Sequence, residues 1–134
     1  MLDSSVAIAW VVESQNTEAT SALLDEVISG SEVVVPLLWM FEVANSLVTL
    51  ARRRIVPESQ YHRARRDLIA LEPVVDEAGP RLALEAISSL ARQNSLSLYD
   101  AVYLELAMRR NLPLASRDAA LNKAARASGV RTLL

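Results

Sequence analysis

The stretch Ser97–Asp118, SLYDAVYLELAMRRNLPLASRD, decides the fold because it joins a long apolar segment to a short strand and sets an acid near each end. Leu98 to Met108 is mostly apolar and free of Pro and Gly, which predicts a largely buried helix. Glu105 and Arg109 stand four apart with the acid first, the favourable order for a solvated helix pair, so that side is expected to face water. At about 100° per residue, Asp100 lies roughly 140° round the helix from Glu105. It shares a face with Tyr103, Leu104 and Ala107 and is expected to point inward. A buried, unpaired carboxylate is costly, so it is protonated, bonded by donors or bound to a cation. The plain alternative is that Asp100 accepts bonds from the first-turn amides of its helix. Asn111 to Arg117 then reads as a helix exit and a short strand around Leu114 and Ala115, after which Ser116 and Asp118 open another helix. A second carboxylate thus stands just beyond a strand.

The rest of the chain bounds what those acids can do. Its 134 residues, 51% of them hydrophobic, suffice for one domain with a real core, and a single domain over residues 1–134 is expected. It has no cysteine, which removes disulfides, thiol catalysis and zinc–thiolate sites together. The N-terminal MLDSSVAIAWVVE has no basic leader, and the apolar runs Val6–Val12 and Val33–Phe41 are too short to span a bilayer. The expectation is a soluble, cytoplasmic protein with no membrane partner. A formal net charge of -2 argues against a general nucleic-acid coat protein. Arg52 to Arg66 nevertheless holds six arginines against the one acid Glu58, a local basic patch.

In chain order, Met1 and Leu2 read as the end of a strand, though a buried first strand usually runs longer. Asp3 then precedes a short helix from Ser4 to Val12, and its ordinary role there is an N-cap. Asn16 and Thr17 cap a second helix that ends at Gly30. Glu32–Val35 predicts a strand buried on both faces and stopped by Pro36. Pro36 opens a helix from Leu37 to Arg53 on which Glu42, Asn45, Ser46, Thr49 and Arg53 form one polar stripe. That stripe is either a solvated face or the lining of a cleft. A helix from Pro57 to Leu71 carries Arg63, Arg65, Arg66 and His62, the only histidine, which has no orienting partner nearby and reads as a surface residue. Glu72–Asp76 is a third strand, and Pro80–Gln93 a further helix. After Asp118 an alanine-rich helix ends at Gly129, and Val130–Leu134 supplies a last strand.

Strands alternating with helices predict an α/β fold, a parallel sheet with helices on both faces and ligands at the carboxyl ends of its strands. In that frame Asp3 and Asp118 each follow a strand. Asp100 starts the helix that feeds the fourth strand, and Glu42 lies within two turns of a strand end, so all four acids can reach one edge. Four like charges there repel, and no Lys or Arg motif is placed to neutralise them. Mg²⁺ or Mn²⁺, which take oxygen ligands, keep several waters and bridge to phosphate, would do so. No EF-hand loop is present to favour Ca²⁺.

Three segments, LDSSVAIAW (Leu2–Trp10), PLLWMFEVANSLVTLARR (Pro36–Arg53) and SLYDAVYLELAMRRNLPLASRDAALNKAARASGV (Ser97–Val130), resemble the PIN-domain ribonucleases, and among them the VapC-type toxins of VapBC toxin–antitoxin systems. The resemblance implies a three-layer α/β/α sandwich with about five parallel strands in the order 3-2-1-4-5. It places the acidic catalytic and metal-binding site on Asp3, Glu42, Asp100 and Asp118, with Ser116 in the small hydroxyl position and Asn45 one turn past the glutamate. It implies a metal-dependent endoribonuclease that hydrolyses RNA phosphodiesters in line, leaving 5′-phosphate and 3′-hydroxyl ends. Asp3 and Asp100 would be the principal ligands, with Asp118 and Glu42 completing the set, and Arg52, Arg53 and Arg54 would hold RNA phosphates. A cognate VapB-type antitoxin and a homodimer are further implications.

Without a cysteine, a placed histidine or a serine nucleophile motif, the attacking group is expected to be water activated by metal. A receiver-type phosphoacceptor would need a lysine after a late strand, and the only lysine is Lys123, inside the last helix. A phosphohydrolase with an aspartyl nucleophile would need an acid two residues past Asp3, where Ser5 stands. The open alternative from another class is a non-catalytic PIN-like module that binds RNA or protein.

Overall fold

The computed structural model describes residues 1–134. Helix α1 (Ser4–Val11) is followed by a 3₁₀ turn at Glu13–Gln15 and α2 (Glu18–Ile28). Thr17 and Thr20 close a reciprocal capping box at the start of α2, and Gly30, at φ +105°, ends it in a conformation that side-chain-bearing residues rarely adopt. Strand β1 (Val34–Pro36) leads to α3 (Leu38–Arg52) and α4 (Glu58–Ile69), and β2 (Val74–Asp76) follows. The chain then forms α5 (Gly79–Leu82), a π-helical turn at Ala83–Ile87, α6 (Ser88–Asn94), α7 (Leu98–Arg109) and α8 (Ala119–Ala127). The architecture is α/β and dominated by helix.

The regular sheet is small. β1 and β2 pair in parallel, Val34 opposite Val74 and Pro36 opposite Asp76. Beside them Leu2 donates its N–H to the Val34 carbonyl, and single parallel bridges join Leu2 to Ala115 and Leu114 to Thr132. The segments expected as strands at Met1–Leu2, Leu114–Ala115 and Val130–Leu134 therefore contribute isolated bridges, because each has too few residues in extended register to continue a ladder. Their hydrogen bonds still join the ends of the chain to its middle. Asp3 N–H reaches Ala115 O at 2.9 Å, and Leu133 N–H reaches Leu114 O at 2.8 Å.

Helix α7 is the centre of the packing. Every residue from Ala101 to Ala107 is buried, and the helix packs on β1, the π turn, α6 and α8. Helices α1, α3 and α4 pack on one another as a second group. The main core joins Val6 and Ile8 of α1, Val34 and Val35 of β1, Trp39 and Val43 of α3, Leu104 and Leu106 of α7, and Leu114 and Leu121.

Two expectations are corrected here. Glu105 does not face water: it is only 9% exposed. Its pairing with Arg109 is as expected, at 2.7 Å, but Arg109 also donates to both carboxylate oxygens of Asp76, at 2.8 and 3.2 Å, so the guanidinium carries Glu105 into the interface with β2. The Arg109 bonds hold the Asp76 carboxyl below its usual range. The second correction is the helix over Pro80–Gln93, which is interrupted by the π turn. In an unbroken α-helix, residues five apart diverge by roughly 140°. The wider turn brings Leu82 and the fully buried Ile87 onto one small core with Ala91, Ala101 and Val102.

Candidate active site

Asp3 occupies the N-cap position of α1, yet its side chain makes no cap hydrogen bond to a helix amide. Its side chain, 7% exposed, is held by hydroxyls. Ser5 Oγ donates to Oδ2 at 2.5 Å and Ser116 Oγ to the same oxygen at 2.7 Å, while Ser4 Oγ stands 3.4 Å from Oδ1. Both close hydroxyls are oriented from behind: Ser5 Oγ accepts the Arg117 N–H at 3.1 Å and Ser116 Oγ the Asp118 N–H at 3.0 Å. Each hydroxyl therefore spends its one proton on Asp3 and a lone pair on the loop before α8. Oδ2 is well supplied with donors, and Oδ1 is left with one long contact. Asn122 Nδ2 holds the Ser116 carbonyl at 2.7 Å, and its buried Oδ1 has no protein partner.

Glu42 reaches the same place from α3. Tyr103, buried in α7, donates its hydroxyl to Glu42 Oε2. Burial raises the Glu42 carboxyl above its ordinary range, the Tyr103 and Ser4 hydroxyls pull it back down, and the charges of Asp3 and Asp100 push it up again. Burial, then the bond to Glu42 and its charge, move the Tyr103 phenol far upward, so it remains a donor at neutral pH. Asp100 is half-buried at the third position of α7. Ser97, the N-cap, accepts the Asp100 N–H at 3.0 Å and donates to its Oδ2 at 2.6 Å. Ser97 alone therefore caps the helix, the Asp100 carboxylate accepts no first-turn amide, and its second oxygen has no protein donor.

Of the acids expected on one edge, Asp3 and Asp100 lie near enough to Glu42 for their charges to act on it. Asp118 joins them only through Ser116. It is exposed, and its Oδ1 caps α8 by accepting the Leu121 N–H at 2.7 Å. Asn45 is exposed and lines a polar cleft beside Ser4 and Ser5. Arg52, Arg53 and Arg54 are exposed at the far end of α3. His62 is a surface residue, 3.0 Å from Glu58.

Two residues of this constellation were not singled out from the sequence. Ser5 entered as the residue standing where an aspartyl-nucleophile enzyme would need an acid, although its position two past Asp3 places it on the first turn of the helix that Asp3 precedes. Tyr103 read as packing. The signal was its spacing, three past Asp100 on one helix face.

The donor set suits a hard cation: every group is oxygen, and no salt bridge reaches Asp3, Glu42, Asp100 or Asp118. No three acidic or histidine side chains are arranged to hold a metal ion by themselves. A divalent ion held here would take one or two of these carboxylates and keep water on its remaining positions.

The crowding has a measurable sign. A carboxyl whose pKa is raised by folding imposes no penalty below its unfolded value near 4.5, and the penalty grows as pH rises through the folded value. Glu42→Gln is therefore expected to raise the melting midpoint of the metal-free protein at pH 7.5, with the gain shrinking toward zero near pH 4.5. Equal gains at both pH values in thermal melts in EDTA would refute the crowding.

Residues 1–127 match the family model of the PIN domain. The chain belongs to the PIN-domain family, whose members are generally nuclease modules that use divalent metal ions. A comparison with individual curated proteins finds no significant match.

Proposed function

We propose that the chain is a metal-dependent endoribonuclease and the toxin component of a VapBC-type toxin–antitoxin system, acting as one PIN-like domain over residues 1–134. The observation that carries the reading is Asp3: a buried carboxylate at a helix N-cap that does not cap, positioned by two hydroxyls with one oxygen left for a ligand.

In this reading Asp3 and Asp100 are the principal ligands of Mg²⁺ or Mn²⁺, and Glu42 and Asp118 complete the set directly or through water. When bound, the ion supplies Lewis-acid stabilisation of the phosphate and an acidified water. Ser5 and Ser116 keep Asp3 in one rotamer, and Tyr103 does the same for Glu42. Asn45 orients substrate, and Arg52, Arg53 and Arg54 hold RNA phosphates beyond the cleft. We also infer the strand order 3-2-1-4-5 within a three-layer sandwich. The bridges Leu2↔Ala115 and Leu114↔Thr132 and the bond from Leu2 to Val34 support it.

A homodimer and a VapB-type antitoxin follow from the toxin reading. An apolar groove of about 250 Å³ between the starts of α3 and α7, edged by the exposed Phe41 and Tyr99, supports such contacts. No helix is long and apolar enough to cross a membrane, which is compatible with a cytoplasmic place of action. The lack of a ready-made cation cage keeps one other reading, a PIN-like module that binds RNA or protein without cutting it.

The test is digestion of RNA with and without EDTA. The wild type is expected to cut only in the presence of Mg²⁺ or Mn²⁺, and Asp100→Asn to lose that activity while melting like the parent. EDTA-resistant cleavage, or full activity in pure Asp100→Asn, would remove the assignment.

A further inference from the structure

Arg117 sits between the two residues that organise the loop before α8, and its two ends are fixed in different directions. Its backbone N–H donates to Ser5 Oγ, the hydroxyl whose proton is given to Asp3. Its side chain is exposed and extends to the 3₁₀ turn, where Nη1 donates to Gln15 Oε1 at 3.2 Å. Gln15 in turn lines the polar cleft of about 340 Å³ between α1 and α3, with Ser4 and Ser5 on one wall and Asn45, Ser46 and Thr49 on the other. The cleft adjoins the acid cluster, since Ser4 and Ser5 line it and also bond to Asp3.

What distinguishes this arginine is the kind of partner that holds it. Arg109 is neutralised by Asp76 and Glu105, and Arg63 stands 3.8 Å from Asp67. Arg117 is held by a neutral amide, so its position is restrained while its charge is left uncompensated and most of its five N–H donors remain free. Arg126 is also held by a neutral group, the Thr132 hydroxyl, but it lies in the last turn of α8, at the end away from the acids. A guanidinium without an acidic partner, tied to Gln15 at the edge of a cleft that hydroxyls and amides line together with Ile8 and Leu50, suits a nucleotide. Phosphate takes the guanidinium, and a sugar hydroxyl takes the Ser, Thr and Asn side chains.

We propose that this cleft is the subsite for a nucleotide flanking the scissile bond of a single RNA strand. Arg117 binds its backbone phosphate, Gln15 pre-sets the guanidinium, and Asn45, Ser46 and Thr49 face the ribose. The inference rests on the reading of the acids as an RNA-cutting site, and it names where the strand lies beside them.

The test measures affinity rather than turnover. Binding of a short fluorescent single-stranded RNA is followed by anisotropy in EDTA, across a salt series. Arg117→Ala is expected to weaken binding about tenfold or more, the effect of losing one charge-assisted contact. The slope of log affinity against log salt should also shrink by about 0.7, one phosphate's worth on a single strand. Gln15→Ala should weaken binding less, about threefold, because it frees the guanidinium without removing it. Arg126→Ala should leave both quantities at their wild-type values. Wild-type affinity and slope in Arg117→Ala, or no measurable RNA affinity in the wild type, overturns the subsite. RNA that binds with the expected Arg117 dependence but is not cut when Mn²⁺ is restored sinks the nuclease reading alone and leaves Arg117 and the cleft as an RNA-binding contact.

Discussion

Asp3→Asn is expected to reduce metal-dependent RNA cleavage by about 10³-fold or more, because it removes the charge at the centre of the acid cluster. The same change should leave the metal-free protein at least as stable as the parent. The amide oxygen can take the place of Oδ2 and still accept from Ser5 and Ser116, at 2.5 and 2.7 Å in the parent, while the amide nitrogen occupies the loosely contacted side. Loss of the charge also relieves Glu42, whose carboxyl Asp3 pushes upward. Cleavage assays paired with melts in EDTA check both halves. A variant that still cuts, or that unfolds, contradicts the role assigned to Asp3.

Leu104→Ala should produce the opposite pattern. Leu104 is fully buried at the middle of α7, the helix on which β1, the π turn, α6 and α8 pack. Truncation there costs about 2–5 kcal/mol, the lost transfer energy plus the cavity left behind. Total stability is typically about 5–15 kcal/mol, so the variant should melt far earlier in denaturant. Its folded fraction should still cut RNA in a metal-dependent way, since Leu104 donates to none of the acids. A loss below about 1 kcal/mol would mean that the core relaxes around the gap and that α7 is less central than its burial implies.

Much of this was readable from the letters, for identifiable reasons. The helix at Leu98–Arg109 was plain because a long apolar run without Pro or Gly has few alternatives, and Ser97 and Arg109 mark its ends. The strands at Val34–Pro36 and Val74–Asp76 were readable as β-branched pairs beside proline. Neighbourhood effects were not readable. The Glu105–Arg109 pair has the spacing of a solvated pair, and only the third member, Asp76, reached from a distant strand, shows why it is buried. The π turn at Ala83–Ile87 answers a packing demand between α5 and α7 that no local pattern encodes. At the site, sequence order suggested that Asp3, Glu42, Asp100 and Asp118 reach one edge, and the charges of Asp3 and Asp100 do act on Glu42. It could not show that Asp3 forgoes its cap, that Ser5 and Tyr103 position the acids, or that Asp118 gives one oxygen to its helix. Those facts depend on which side-chain rotamers the surrounding packing selects.

In the proposed reading, Asp3, Glu42 and Asp100 act as one cation-binding unit. Calorimetric titration of the EDTA-stripped, dialysed protein with Mn²⁺ at pH 7.5 tests it without any assumption about the RNA. Saturable binding in the wild type that is lost in Asp3→Asn and strongly weakened in Glu42→Gln is the predicted result. Absence of binding to the wild type, or binding that Asp3→Asn leaves undiminished, would contradict it.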